Sequence, residues 1–167
     1  MKLLKTITNN DFGRPDADTS SLRNREAARA VILDDENNVA ILTVRDGGYH
    51  KIPGGGIEKG EDVKKALARE AKEEAGVQIE IIDEVGYTLE YRDGLKQYSY
   101  CYLGRVAGSK GAPEFTKQER RDGFEPPKWM PIDEAIDLFK SDKPSFLRAE
   151  FMSLRDRTFL EEARKML

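Results

Sequence analysis

Apolar and polar residues alternate along this chain in blocks that have the lengths of strands and helices. Short apolar runs bounded by turn residues predict strands, and apolar residues spaced three or four apart predict helices. The predicted strands are residues 2–8, 27–33, 39–44, 49–52, 78–92, 97–106 and 128–130. The predicted helices are residues 62–75, 131–140 and 146–167. This order predicts an α/β fold, in which a mixed β-sheet carries helices on its faces.

Three polar segments interrupt the pattern. Residues 9–24 are rich in Asp, Ser and Asn, which predicts a loop or arm, and Asp93-Gly94 is a hairpin turn signal. Residues 107–127 form a loop that is long for a compact domain, and long ordered loops are often functional. The length of 167 residues suits one domain with one core, in which residues 1–24 form an N-terminal strand and arm.

The predicted helix at residues 62–75 carries glutamates on its core-facing side. At about 100° per residue, Glu70 and Glu74 fall on the line that Val63 and Leu67 begin, while lysines occupy the opposite side. Carboxylates on such a line repel each other and lose solvation, and a bound cation relieves both costs. Hard divalent ions that prefer oxygen ligands, Mg²⁺ or Mn²⁺, suit this cluster.

A simpler interpretation of the same glutamates is that they are solvated and pair with Arg69 and Lys72. Two features weigh against it. The acids lie on the side of the helix that normally continues the core contact, and a glycine-rich turn, Gly54 to Gly56, comes shortly before the helix. The divalent-metal interpretation is therefore the one we carry forward.

Composition and charge narrow the class of protein. Charged residues make up 35% and hydrophobic residues 38%, which is typical of a soluble globular chain, and the net charge of -3 does not favour bulk nucleic-acid binding. The single cysteine, Cys101, lies in a strand-like run and is expected to be a packing residue. The sequence has neither a run long enough to span a membrane nor an apolar signal core, so a cytoplasmic location is the default expectation.

A longer pattern surrounds the glutamates and resembles the signature of the Nudix hydrolases. Its fixed positions are all present, in the order Gly55, five residues, Glu61, seven residues, Arg69-Glu70, Ala71, one residue, Glu73-Glu74, one residue, Gly76 and Val77. Ile52-Pro53-Gly54 and Trp129 also fit the family, whereas Ala71 is smaller than the usual aliphatic residue. The resemblance implies a Nudix-type α/β/α sandwich around a mixed sheet.

The resemblance also implies a catalytic role for the glutamate cluster. Glu70, Glu73 and Glu74 are implied ligands of Mg²⁺ or Mn²⁺, and one of them is a candidate general base. The backbone carbonyl of Gly54 is implied as a further metal ligand. Arg69 is expected to orient the cluster by pairing with Glu73, four residues further along the helix.

Family members often supply another glutamate from the loop before the last core strand. The loop at residues 107–127 offers Glu114, Glu119 and Glu125. We favour Glu119 as the assisting catalytic residue because it lies near the middle of the polar stretch, and the alternative for each of the three is a solvated loop acid.

Candidates for substrate binding lie outside the signature. Arg45, His50 and Tyr91 are our candidates, because arginine pairs with phosphate and aromatic rings stack on bases. Tyr49, Arg92 and Tyr98 share these properties. Packing is the alternative for the strand aromatics, and a packing or surface role is the alternative for His50, the only histidine.

The expected function is metal-dependent hydrolysis of a nucleoside diphosphate linked to another group, by attack of water on phosphorus. We expect a small nucleotide as substrate, in the first place a nucleoside triphosphate, ordinary or damaged. Nucleotide sugars, dinucleoside polyphosphates and capped RNA ends are open alternatives. A different class of function is a nucleotide-sensing or regulatory module without turnover. The arm and the last helix could form a homodimer interface or cover one face of the sheet.

Overall fold

The computed structural model describes residues 1–92 and 94–167, so Asp93 of the predicted hairpin turn lies outside the described residues. The strands of the described chain are β1 Leu3–Ile7, β2 Arg23–Leu33, β3 Val39–Val44, β4 Tyr49–Lys51, β5 Gly54–Gly56, β6 Gln78–Arg92, β7 Leu95–Ala107 and β8 Lys128–Met130. The helices are α1 Val63–Ala75, α2 Lys117–Arg121, α3 Ile132–Ser141 and α4 Leu147–Arg164. Most boundaries agree with the predicted ones within two residues.

The strands form one mixed sheet in the order β1-β6-β7-β2-β3-β4, with β5 paired to β2 and β8 paired to β3. β1 runs parallel to β6, β2 runs parallel to β7, and the other pairs are antiparallel. One hydrophobic cluster packs α1 against one face of the sheet, and a second packs α3 and α4 against the other. The predicted α/β sandwich with a mixed sheet is thus confirmed.

The middle of β2 is buried on both faces. Ala27, Ala28 and the run from Ala30 to Leu33 are at most 2% exposed, which explains why this stretch reads as a continuous apolar run rather than an alternating one. Cys101 of β7 is fully buried in the cluster beneath α3 and α4, as expected of a packing residue.

One predicted strand boundary and one predicted loop differ from the structure for identifiable reasons. β2 begins at Arg23 rather than Ala27, because polar residues 23–26 pair with β7 starting at Leu95 although they do not look like a strand. The loop at residues 107–127 contains the short helix α2, which begins with a capping box formed by Thr116 and Glu119. A helix of five residues is too short to show an apolar period.

No helix in the described part of the chain combines the length and apolar character needed to cross a membrane.

Candidate active site

Helix α1 has local signals at both ends that set its register. The side chain of Asp62 accepts a hydrogen bond from the backbone N–H of Lys65 at 2.9 Å, which caps the first turn. Gly76 ends the helix in the left-handed conformation, with φ of 66°. With this register, Glu70 and Glu74 are 6% and 2% exposed, so the predicted inward line is confirmed.

The two buried glutamates lie directly beneath the glycine turn. The backbone N–H of Gly54 donates to Glu74 Oε2 at 2.8 Å. A Cβ added to Gly55 would come within 2.2 Å of Glu70 Oε1, so only glycine leaves room for that carboxylate. Gly54 itself has φ of 143°, a conformation that side chains rarely adopt. The glycine turn and helix α1 therefore pack as one unit, because the absence of side chains on the glycines leaves space for the carboxylates of Glu70 and Glu74.

Basic side chains from the sheet surround the inner carboxylate. The ammonium of Lys51, at the end of β4, donates to Glu74 Oε1 and to the Gly54 carbonyl, the latter at 3.1 Å. Arg29 of β2 donates to the same carbonyl. Burial raises the pKa of Glu74, and repulsion from Glu70 adds to the rise, while the Lys51 ammonium opposes it.

Arg69 holds the outer side of the cluster. Its guanidinium donates to Glu61 at 2.9 Å, to Glu70 at 2.7 Å and to Glu73 at 3.2 Å, so the predicted pairing with Glu73 is present. It also donates to the carbonyl of Gly56 at 3.0 Å, which ties the helix to the turn. The hydrogen bond to Glu61 raises the pKa of Arg69 further above its usual range.

The donor atoms of this cluster suit a hard divalent cation. Within residues 1–92 and 94–167, however, no three His, Cys, Asp or Glu side chains are grouped closely enough to hold a metal ion. In the structure these carboxylates instead form ion pairs, Glu74 with Lys51 and both Glu70 and Glu73 with Arg69. The Lys51 ammonium bridges Glu74 and the Gly54 carbonyl, two of the four predicted metal ligands. The oxygen atoms that are predicted to bind a metal ion therefore already bind a positively charged side chain.

A cavity of about 530 Å³ opens over the buried glutamates. Glu70, Glu74 and Gly54 line it, together with Glu119 of α2. The carboxylate of Glu119 also accepts the backbone N–H of Thr116 at 2.7 Å, which fixes its position at the start of α2.

The other two loop glutamates have different surroundings. The side chain of Glu114 is 65% exposed and lies 3.8 Å from Lys72, on the outer face of α1. Glu125 lies beside β3, where its backbone N–H donates to Thr43. Of the three candidates from the loop, Glu119 is the one in the lining of the cavity.

The three predicted substrate-binding residues lie elsewhere. The side chain of Arg45 is 69% exposed and lies 3.4 Å from Asp46. His50 Nδ1 contacts Asp142 Oδ1 at 2.6 Å, and the ring faces a separate cavity of about 300 Å³. The half-buried ring of Tyr91 lies beneath Lys96. The structure does not bring these side chains into the cavity beside Glu70, and their role in binding stays a prediction.

Basic residues that sequence reasoning did not select line the cavity instead. They are Arg25, Arg29, Lys51, Arg148 and Arg155. A signal for some of them was present in the sequence. Arg29 interrupts the apolar run of β2, and Arg155 interrupts the core-facing line from Phe151 to Phe159 on α4. A charged residue at a position that the pattern assigns to the core indicates a buried ionic site.

Comparison with known proteins finds a family model that matches most of this chain. A model of the NUDIX domain matches residues 23–149. Nudix hydrolase 7 of Arabidopsis thaliana is 26% identical over 116 residues, which make up 66% of this chain and 40% of that protein. The chain therefore spans less than half the length of this curated relative.

Solved structures with the same architecture come from other organisms. A MutT protein from Methanosarcina mazei Go1 matches with a TM-score of 0.61 at 16% identity, covering 89% of this chain and 99% of the other. An ADP-ribose pyrophosphatase from Streptococcus suis 89-1591 matches with a TM-score of 0.53 at 20% identity, covering 84% and 92% of the two chains. At such low identity, these similarities establish the shared fold alone.

Proposed function

Because the chain belongs to the Nudix hydrolase family, we propose that it is a metal-dependent pyrophosphohydrolase. It cleaves a nucleoside diphosphate linked to another group by attack of water on phosphorus. The observation that carries this proposal is the pair of buried carboxylates, Glu70 and Glu74, held under a glycine turn at the floor of a cavity. Buried carboxylates at the floor of a cavity are explained if they bind a cation that in turn binds the phosphate chain of a substrate.

Nudix hydrolases generally use divalent metal ions. In this chain Glu70, Glu73, Glu74 and the Gly54 carbonyl would hold Mg²⁺ or Mn²⁺ once the carboxylates leave their ion pairs with Lys51 and Arg69, since all four offer the oxygen donors that these ions prefer. When bound, the ion supplies neutralisation of phosphoryl charge and a lower pKa for its water.

The remaining steps fall to the side chains of the chain itself. Arg69 orients Glu70 and Glu73 through its hydrogen bonds to both. One carboxylate of the cluster takes the proton from the attacking water, and Glu119 assists from the opposite element, α2. The whole chain then acts as one catalytic domain.

A nucleoside triphosphate, ordinary or damaged, is the substrate class that we propose first. The named structural neighbours include a MutT protein and an ADP-ribose pyrophosphatase, so nucleotide sugars, dinucleoside polyphosphates and capped RNA ends belong in the same test. We further propose a cytoplasmic location, and a homodimer as the oligomeric state to examine by light scattering.

The test is a nucleotide panel with Mg²⁺ or Mn²⁺, read by release of phosphate or pyrophosphate. We expect at least one class to be cleaved and Glu73→Gln to lower turnover strongly. Glu80→Gln, on the exposed surface of β6, is the matched control and should retain wild-type activity. If no member of the panel is cleaved, or if Glu73→Gln is as active as the wild type, the proposal is wrong.

One observation favours a second candidate, a nucleotide-sensing module without turnover. The Lys51 ammonium bridges Glu74 and the Gly54 carbonyl, where it competes with a metal ion for both. A sensor would be stabilised against heat by a nucleotide and release no product, whereas an enzyme yields product on the same sample.

A further inference from the structure

Two buried arginines that line the cavity each have a nitrogen that makes no hydrogen bond to the described residues. Arg155 of α4 is 0% exposed and Arg29 of β2 is 3% exposed, and both line the cavity. Among the described residues, Arg155 Nη2 and Arg29 Nε are buried donors that have no hydrogen-bond partner. Unsatisfied buried donors are rare because each loses its hydrogen bonds to water and gains none in the protein. These two N–H groups therefore point to a missing acceptor.

Arg155 is held in place by the rest of its contacts. Its Nε donates to Asp156 Oδ1 at 2.6 Å and its Nη1 donates to Glu90 Oε1 at 3.3 Å. Asp156 also accepts the backbone N–H of Ile52 at 3.0 Å, just before the glycine turn. Because two nitrogens are fixed and the guanidinium is planar, the direction of the third nitrogen is fixed too. The unpaired Nη2 of Arg155 therefore has a fixed position relative to the glycine turn that covers Glu70 and Glu74.

Two further arginines complete a positively charged wall of the cavity. Arg25 of β2 donates to Gln97 at 3.0 Å, and its guanidinium lies beside Gly56 of the turn. Arg148 lies on the exposed first turn of α4. Burial lowers the pKa of Arg25 to about 10, and repulsion from Arg29 and Arg148 contributes to this shift. The positive end of the α4 macrodipole adds to the same field.

We propose that Arg25, Arg29, Arg148 and Arg155, here termed the arginine wall, bind a phosphate group of the substrate that lies outside the cleaved diphosphate. The inference rests on the proposed function and narrows its substrate class. Arg29 connects the two parts of the cavity, since it contacts the Gly54 carbonyl beside the carboxylates and also belongs to the wall. The preferred substrate then carries at least one phosphate in addition to the two that the cleaved bond joins, as a nucleoside triphosphate does, rather than a neutral sugar.

Acidic side chains in the same cavity restrict the positions at which a polyanionic ligand can bind. Asp46, Glu119 and Asp122 also line it, and they repel a polyanion that is not positioned on the wall. Binding should therefore depend on particular arginines and not on total charge alone, which makes substitution of single residues informative.

The first experiment measures binding without turnover. Inorganic tripolyphosphate is titrated against the full chain in metal-free buffer, with thermal stabilisation and calorimetry as readouts. We expect Arg25→Gln and Arg148→Gln to weaken the dissociation constant at least tenfold. The matched control is Arg164→Gln, which removes the same charge from the exposed end of α4 and should stay within twofold of the wild type. Equal weakening in the control, or no weakening in either wall variant, would overturn the proposal.

The second experiment measures discrimination by the enzyme. We compare kcat/KM for a nucleoside triphosphate and for the diphosphate of the same nucleoside. The loss caused by Arg148→Gln should be at least fivefold larger for the triphosphate than for the diphosphate. Equal losses would refute the arginine wall and leave the hydrolase proposal standing. Absence of cleavage of either nucleotide would refute the hydrolase proposal, while the tripolyphosphate titration would still decide on the wall.

Discussion

Two groups of buried charge meet at the cavity, and they differ in what they lack. Both oxygens of Glu74 have partners, Oε1 in the Lys51 ammonium and Oε2 in the N–H of Gly54. The guanidiniums of Arg29 and Arg155, in contrast, each leave a buried donor free. Glu74 and Arg155 are thus both paired with opposite charges of the chain, but Arg155 and Arg29 also keep a buried N–H group that has no acceptor among the described residues. This difference indicates that the two arginines can still bind an anionic ligand, whereas Glu74 is already paired within the chain.

The groups also differ in what their loss should cost the fold. Arg155→Met leaves Asp156 buried without the arginine it pairs with and leaves Glu90 with Arg92 alone among the described cations, which should lower the free energy of unfolding by about 3–5 kcal/mol. Urea denaturation measures this change. Arg157→Met, two residues along α4, removes a half-exposed arginine paired with Glu161 and should cost no more than about 1 kcal/mol. Similar losses in both variants would show that the Arg155 network does not stabilise the fold as described.

The acid group should show the opposite balance between activity and stability. Because the side chain of Glu73 is one-third exposed and pairs with Arg69 at 3.2 Å, Glu73→Gln should change the free energy of unfolding by less than about 1 kcal/mol. Turnover should fall about a hundredfold, or about 2.7 kcal/mol in activation free energy. Steady-state kinetics and urea denaturation on the same preparation separate the two effects. A large loss of stability with little loss of turnover would mean that the glutamate is structural.

A smaller effect is expected at the edge of the acid group. Glu119→Gln should lower turnover at least tenfold, or about 1.4 kcal/mol, and leave the fold intact because Gln still accepts the N–H of Thr116. Glu114→Gln, in the same loop but paired toward Lys72, is the control and should keep wild-type turnover. Near wild-type turnover in Glu119→Gln would remove that residue from the mechanism.

The smallest effect concerns pH. Hydrogen bonds from Arg69 and from the N–H of Glu58 lower the pKa of Glu61 in the folded state. The stabilisation is therefore complete above the unfolded pKa of about 4.3 and is lost as the pH falls through the folded value. Glu61→Gln should flatten the acid limb of stability against pH, measured by urea denaturation from pH 7 to pH 3. An unchanged slope would show that the pair with Arg69 does not persist in solution.

Local signals explain why the acid group could be predicted and the arginine group could not. Glu70 and Glu74 lie one helical turn apart, so their spacing alone placed them on a common face. Arg29 and Arg155 come from β2 and α4, and only the packing of α4 on the sheet brings them to one cavity. The same dependence on packing explains His50, whose neighbour Asp142 follows α3 and draws the ring to another cavity.

Gly76 joins helix α1 to the loop that carries Glu119. Its carbonyl accepts the N–H of Gly111 at 2.8 Å, and the carbonyl of Glu73 accepts the N–H of Glu114 at 2.7 Å. A Cβ at residue 76 would come within 2.4 Å of the Gly111 carbonyl. These two backbone hydrogen bonds thus attach the loop that carries Glu119 to the C-terminal end of helix α1. For protein engineering, an insertion between residues 111 and 114 would separate the loop from α1, whereas an insertion between Glu114 and Glu119 would displace Glu119 from the cavity while both backbone attachments remain.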